Sequence, residues 1–221
     1  MAGTLRSLLA EFLGTFVWVF FAAGAVCADA ALEGGLGILG IAMGQGLAMA
    51  AAFGLFGGSQ GLFNPAVTIA LAAFRRLELV KAALCLVCQL LAAAAAGLLL
   101  SAAFSHANIS SEPPFLGAPT LNGMGFRAAT LMEAVLTFCL SIACVASLGK
   151  ANPARALVVG SLGCAACLAL GAFCGAAMNP ARAFGPAVAS GYWSFHYVYW
   201  AGPLAGAVLG VGAANLLPRE A

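Results

Sequence analysis

The sequence predicts an all-α membrane protein with six transmembrane helices, two re-entrant half-helices and an inverted repeat. Composition, the lengths of the apolar runs and a duplicated motif support this prediction. Of the 221 residues, 63% are hydrophobic and 7% are charged, whereas soluble chains carry about 25% charged residues. The formal charge of +2 is too small for a nucleic-acid surface. We therefore expect a lipid bilayer as the surroundings and no nucleic-acid partner.

Six apolar runs are long enough to cross a bilayer, which takes about 20 residues. The first run has no convincing cleavage site before it and continues for a full span, so we interpret it as a helix and not as a signal peptide. Two further apolar runs, 64–74 and 179–188, are too short to cross and predict re-entrant helices. The predicted spans are 7–27, 36–55, 81–101, 124–147, 155–173 and 195–217.

Basic residues predict the orientation of these spans. Most of them fall on one side when six spans are drawn: Arg6, Arg75, Arg76, Lys81, Lys150, Arg155 and Arg219. The positive-inside rule then predicts that both termini are cytoplasmic. The membrane is expected to be the plasma membrane or an internal membrane. Asn108 opens an Asn-Ile-Ser glycosylation sequon in the outer loop that follows the third span.

An internal repeat divides the chain into two halves. Asn64-Pro65-Ala66 recurs as Asn179-Pro180-Ala181, and Glu11 in the first span corresponds to Glu133 in the fourth. We expect one transmembrane domain, 1–221, with a first repeat at 1–105 and a second at 106–221 that includes the connecting outer loop. Because each repeat has three spans, the two enter the membrane from opposite sides.

The repeated motif predicts where the short helices begin. Asparagine is a favoured N-cap, and proline suits the first helical position. A helix that starts at Asn64 or Asn179 in mid-membrane is tolerated where it lines a cavity or is buried in protein. Such helix starts repel cations and protons, while the asparagine amides can donate to a neutral molecule. A third Asn-Pro-Ala-Arg, at 152–155, precedes a full-length span and is interpreted as the start of the fifth helix.

Three ionisable residues inside predicted membrane segments are functional candidates. Arg182, three residues after Asn179, is expected to face water or a partner and to orient passing molecules. Glu11 and Glu133 are expected to accept exposed backbone N–H groups before each half-helix, with a proton relay as the alternative.

Enzyme chemistry has no candidate site in the sequence. No nucleophile–base pair and no phosphate-binding glycine loop appears. The eight cysteines include two C-x-x-C pairs, but both pairs lie inside apolar runs without accompanying histidine and are interpreted as packing residues. We therefore expect no catalysis, no cofactor and no metal.

The two motifs lie in the segments 63–68 and 175–188. The chain resembles the aquaporin (major intrinsic protein) family over almost its whole length, and these two segments carry the resemblance. Residues 178–188, 193–196 and 199–204 are most similar to its aquaporin-8 and tonoplast-type members. The resemblance implies a passive channel for water, with ammonia, hydrogen peroxide or urea as further small neutral solutes, that excludes protons and ions. It also implies a homotetramer whose subunits each have their own pore.

The resemblance further implies pore residues. Both Asn-Pro-Ala motifs would line the pore, and a narrow outer filter would consist of Gln45, Cys167, Ala176 and Arg182, with Gly44 as the alternative to Gln45. Leu62 takes the place of a histidine that is common in the family. Two other functions compete with the channel. A secondary transporter can have the same inverted repeat, and a structural membrane-contact protein would have a closed pore.

Overall fold

The structure, a computed structural model, describes residues 2–58, 61–105, 109, 113–146 and 153–217. All regular structure in these ranges is helical, which confirms the predicted fold class. The helices are α1 (Ala2–Ala31), α2 (Gly37–Phe56), α3 (Pro65–Ala73), α4 (Leu79–Ala103), a 3₁₀ turn (Phe115–Gly117), α5 (Phe126–Ala146), α6 (Pro153–Ala166), a π turn (Cys167–Gly171), α7 (Ala172–Cys174), α8 (Pro180–Ser190) and α9 (Val198–Leu216).

Each predicted span corresponds to a helix. Five helices in the described ranges are long and apolar enough to cross a membrane, the fifth running without a break from α6 through the π turn into α7. The sixth predicted span corresponds to α9, which contains Tyr199, Trp200 and Pro203. Its 19 residues extend about 28 Å, close to the thickness of the hydrocarbon layer.

The two half-helices begin at the repeated motif. Asn64 has an extended backbone, and its side chain accepts a hydrogen bond from the Ala66 N–H. Asn179 makes the same bond to the Ala181 N–H. In both helices proline occupies the first turn, where a missing N–H costs nothing. With 9 and 11 residues, α3 and α8 extend only about 14 and 17 Å, too short to cross the bilayer.

Large apolar side chains cover much of the outer surface, while a set of polar side chains is buried. Leu39, Leu157 and Leu209 are each more than 60% exposed, whereas twelve polar or charged residues in the described ranges are buried. This distribution is typical of a protein whose surroundings are lipid and whose interior holds a polar site. The buried polar residues are Glu11, Thr15, Gln45, Asn64, Thr68, Gln89, Glu133, Thr137, Ser141, Arg155, Asn179 and Arg182.

The two halves interlock. Within each half the first and last helices pack together, α1 against α4 and α5 against α9. Each half-helix packs also against the last helix of the opposite half, α3 against α9 and α8 against α4. Helices α2 and α6 pack across the centre in antiparallel directions, since Gly46 lies against Gly160 while Gly54 lies against Ala156. This arrangement fits an inverted repeat.

The π turn in the fifth span was not predicted. It occupies Cys167–Gly171, where a Cβ on Gly171 would stand 2.8 Å from the Cys167 Sγ. A π turn adds one residue to a helical turn and therefore changes the direction in which the following side chains point. The apolar run 155–173 gives no signal for such a turn, because its hydropathy does not change there.

Helices α2 and α6 approach each other closely at Gly46. A Cβ on Gly46 would lie 2.6 Å from the Gly160 carbonyl oxygen, a backbone atom that cannot rotate away. We expect Gly46→Ala to lower the thermal unfolding midpoint in detergent, because such overpacking costs about 1–3 kcal/mol. The matched control is Gly54→Ala on the same interface, where the new Cβ meets only Ala156 Cβ at 3.6 Å. Equal midpoints for the two variants would contradict the prediction.

Candidate functional site

The two half-helices meet through their capping asparagines. The Asn64 Nδ2 donates to the Met178 carbonyl at 2.9 Å, and the Asn179 Nδ2 donates to the Phe63 carbonyl at 2.8 Å. Each asparagine therefore binds the residue that immediately precedes the other asparagine. An amide nitrogen carries two hydrogens, so one N–H of each asparagine remains to donate to a small molecule. The positive ends of both helix dipoles lie at this point.

Two buried carboxylates hold the chain segments that lead into the half-helices. Glu11 accepts hydrogen bonds from the Leu62 and Phe63 N–H groups, both at 2.8 Å. Glu133 accepts hydrogen bonds from the Ala177 and Met178 N–H groups at 2.9 and 2.7 Å. In each half these N–H groups belong to the two residues before the asparagine. Hydrogen bonds to a charged group contribute about 1.5–3 kcal/mol each, so the carboxylates fix both segments.

The segments that these carboxylates hold have strained backbone. Phe63 has φ +52° and Met178 has φ +54°, in the left-handed region that costs a side-chain-bearing residue about 1–3 kcal/mol. The same conformation recurs at the same place in both repeats. A glutamate binds the N–H of each of these two residues, and the hydrogen bonds offset the strain. They also fix the orientation of the carbonyl of the residue before each one, because that carbonyl belongs to the same peptide plane.

The first half contains an additional polar layer that sequence reasoning missed. The Gln89 Nε2 on α4 donates to the Glu11 carboxylate at 2.8 Å and to the Thr68 hydroxyl at 2.9 Å. In the second half, α9 passes Glu133 at Gly202, where a side chain has no room because a Cβ would lie 2.8 Å from the Glu133 Cβ. A signal was present in the sequence, because Gln89 is a strongly polar residue in the middle of an apolar span.

Three of the residues assigned to the outer filter line one cavity of about 520 Å³: Gln45, Cys167 and Arg182. Ala176 is joined to them because the Gln45 Nε2 donates to its carbonyl at 2.8 Å. Gly44 does not share this position. A Cβ on Gly44 would meet Ala25 of α1, so this glycine faces the neighbouring helix and Gln45 faces the cavity.

Arg182 is buried and only partly satisfied. Its Nη1 donates to the Gly117 carbonyl at 2.7 Å, while its Nε has no hydrogen-bond partner. Among the described residues that line the cavity, Arg182 is the one charged side chain. Arg182 can therefore donate to a molecule that enters from the cavity.

Arg155 is a buried charged residue. It lies in the first turn of α6, at the start of the fifth span as the sequence predicts. Its side chain is 4% exposed, and its Nη2 donates to the Gly61 carbonyl at 2.8 Å. No expectation for this burial followed from the sequence, because the positive-inside rule counts charges near helix ends and does not distinguish side chains that turn inward from those that face headgroups.

Two expectations concern other sites. Asn108, the predicted glycosylation acceptor, lies outside the described residues. In the part of the chain that the structure describes, no group of three or more His, Cys, Asp or Glu residues could hold a metal ion. The cysteines of both C-x-x-C pairs are free thiols.

The sequence and the fold are both similar to those of known proteins. A family model described as Major intrinsic protein matches residues 1–213. The chain is 43% identical to aquaporin TIP4-4 of Zea mays, over 94% of this chain and 84% of that protein. It is 35% identical to aquaporin TIP2-1 of Arabidopsis thaliana, over 97% and 86%. The X-ray structure of the aquaglyceroporin from Plasmodium falciparum matches with TM-score 0.81 at 24% identity, over 96% of this chain and 95% of that one. This last likeness supports the fold.

The carbonyl that accepts a hydrogen bond from Arg182 belongs to Gly117, a glycine in a crowded turn. Gly117 has φ +76°, and a Cβ there would lie 2.6 Å from the Ala23 carbonyl oxygen. We expect Gly117→Ala to displace the carbonyl that binds Arg182 and to lower the thermal unfolding midpoint. Gly123→Ala is the matched control, because Gly123 also has positive φ (+70°) but open space around its Cβ position. Midpoints that fall equally in both variants would assign the effect to backbone strain alone.

Proposed function

We propose a conduction mechanism from the premise that this chain belongs to the major intrinsic protein family, the family of its aquaporin relatives. The protein is a passive membrane channel for water and small solutes. Channels of this kind have no reaction to catalyse, and the flow depends only on the gradient of the permeant.

The asparagine pair is the proposed centre of the pore. The observation that carries this proposal is the reciprocal pair of hydrogen bonds, Asn64 to Met178 and Asn179 to Phe63, which leaves each amide one free N–H. A water molecule at this point would accept from both amides and would turn its own hydrogens away from the helix starts. Together with two helix dipoles of roughly half a positive charge each, this orientation opposes protons and cations. Pro65, Ala66, Pro180 and Ala181 form the first turns that aim these N–H groups.

The outer filter is the proposed selectivity site. Gln45 and Arg182 would donate to the permeant, while Cys167 and Ala176 would leave room beside it. The small side chains at the last two positions suit permeants somewhat larger than water. We propose water as the main permeant, with ammonia, hydrogen peroxide and urea as further candidates.

The cellular setting is also a proposal. The tonoplast-type relatives favour an internal membrane, and the basic residues favour cytoplasmic termini. We propose a homotetramer with one pore per subunit. Each subunit would consist of two repeats, 1–105 and 106–221. We also propose that Asn108 is glycosylated where the loop after the third span faces a glycosylating compartment.

Osmotic shrinkage of proteoliposomes tests the channel function. We expect vesicles that contain the purified, folded chain to shrink faster than empty vesicles after a hypertonic step, as measured by stopped-flow light scattering. Parallel measurements with ammonia, urea, hydrogen peroxide and glycerol gradients identify the further permeants. Shrinkage no faster than in empty vesicles would remove the proposal, and saturable, ion-coupled uptake would favour a transporter.

Replacement of the filter arginine tests ion exclusion. We expect Arg182→Val to raise the proton and cation leak at least about fivefold, because a fixed positive charge repels a cation at 4 Å by about 1 kcal/mol in water and by more inside a protein. The leak is measured with a pH-sensitive dye trapped in proteoliposomes. Arg127→Val is the control, since Arg127 is exposed and its loss removes the same net charge. An unchanged leak in Arg182→Val would count against the proposed role.

A further inference from the structure

Arg155 is buried at the end of the fifth span that lies opposite the outer filter. It is the third residue of α6, twelve positions before Cys167, and the helical rise separates the two by about 18 Å along the axis. Its guanidinium stands 4.8 Å above the Phe53 ring and donates through Nη2 to the Gly61 carbonyl. The side chain is thus fixed from two sides, by α2 and by the segment that leads into α3.

The guanidinium of Arg155 has few strong acceptors around it. Its Nε and Nη1 are buried with no oxygen acceptor within hydrogen-bond distance. The Cys144 thiol interacts with the group, and sulfur is a weak acceptor. A buried N–H without a partner costs about 1–3 kcal/mol, and more for a charged group. Water or a polar permeant at this position would remove that cost.

The contacts of Arg155 repeat those of the outer filter in the opposite half. Gly61, its acceptor, stands three residues before Asn64, and Ala176, the acceptor of Gln45, stands three residues before Asn179. In both cases the donor belongs to the other repeat. Each half-helix also has a glutamate within electrostatic reach of an arginine, Glu133 of Arg182 and Glu11 of Arg155.

We propose that Arg155 forms a second polar constriction of the pore, on the side of the asparagine pair opposite Arg182, and excludes cations there. The neighbouring Leu62 side chain is buried and apolar, so Arg155 provides the side-chain donors at this level. The two arginines then act in series, and a cation that passes one meets the other. This inference rests on the proposed channel function.

Charge substitutions in combination test the proposal. We expect Arg155→Gln alone to leak little, because Arg182 still bars the pore. In an Arg182→Val background, we expect Arg155→Gln to raise the cation and proton leak at least about tenfold, which corresponds to about 1.4 kcal/mol of lost barrier. Arg155→Lys in the same background should keep the leak at the level of Arg182→Val, because the charge remains. Arg127→Gln is the surface control.

The outcomes separate a pore role from a structural one. If Arg155 only fastens α6 to the segment before α3, Gln and Lys variants will both lower thermal stability and neither will change the leak in the Arg182→Val background, which overturns the proposal. Water permeability is measured in the same vesicles. Loss of water flow in the unmodified chain would overturn the channel function itself, whereas normal water flow with an unchanged leak would overturn only this inference.

Thiol labelling gives an independent measurement. We expect water flow through Arg155→Cys to be blocked by a membrane-impermeant, charged thiol reagent applied on the side of the α6 N-terminus. Leu157→Cys is the matched control, since Leu157 is 69% exposed on the lipid-facing surface of α6, and we expect the same reagent to leave its water flow unchanged. Wild type, with its native cysteines, sets the baseline. Block of the control to the same extent, or no block of Arg155→Cys, would overturn the inference.

Discussion

The two glutamate clamps are the interaction on which the pore depends. Glu11 and Glu133 each bind two adjacent N–H groups immediately before a half-helix. Without them, four backbone donors would be buried with no partner, at a cost of about 1–3 kcal/mol each, and left-handed residues would be unsupported. The asparagines could not then bind across to each other's segment. The clamps therefore belong to the scaffold of the pore, and their position explains why a carboxylate is tolerated inside a membrane helix.

Much of the fold could be predicted from the sequence because the length and hydropathy of a segment are enough to identify a transmembrane helix. The half-helices were predictable for a second reason: Asn64-Pro65 and Asn179-Pro180 combine an N-cap with a first-turn proline, a local signal that needs no tertiary context. The inverted topology followed from counting three spans in each repeat. These features depend on single segments, and single segments are what a sequence describes well.

What could not be predicted depends on the direction of side chains in the assembled protein. Arg155 is charged and close to a helix end, so its sequence context is that of a surface anchor, yet packing against Phe53 turns it inward. Gln89 was visible as a polar residue in an apolar helix, but its partners Glu11 and Thr68 come from two other helices. The π turn at Cys167–Gly171 has no hydropathy signal. Such features arise only when helices from both repeats are in contact.

The exchange of half-helices between the repeats has a consequence for biogenesis. Helix α3 packs on α9, and α8 packs on α4. The first repeat, which contains α3, is therefore synthesised before α9, the helix against which α3 packs. Its first three spans are apolar enough to enter the bilayer, but α3 has no complete binding site until α9 has been synthesised. The centre of the pore can therefore be completed only when helices from both repeats are present.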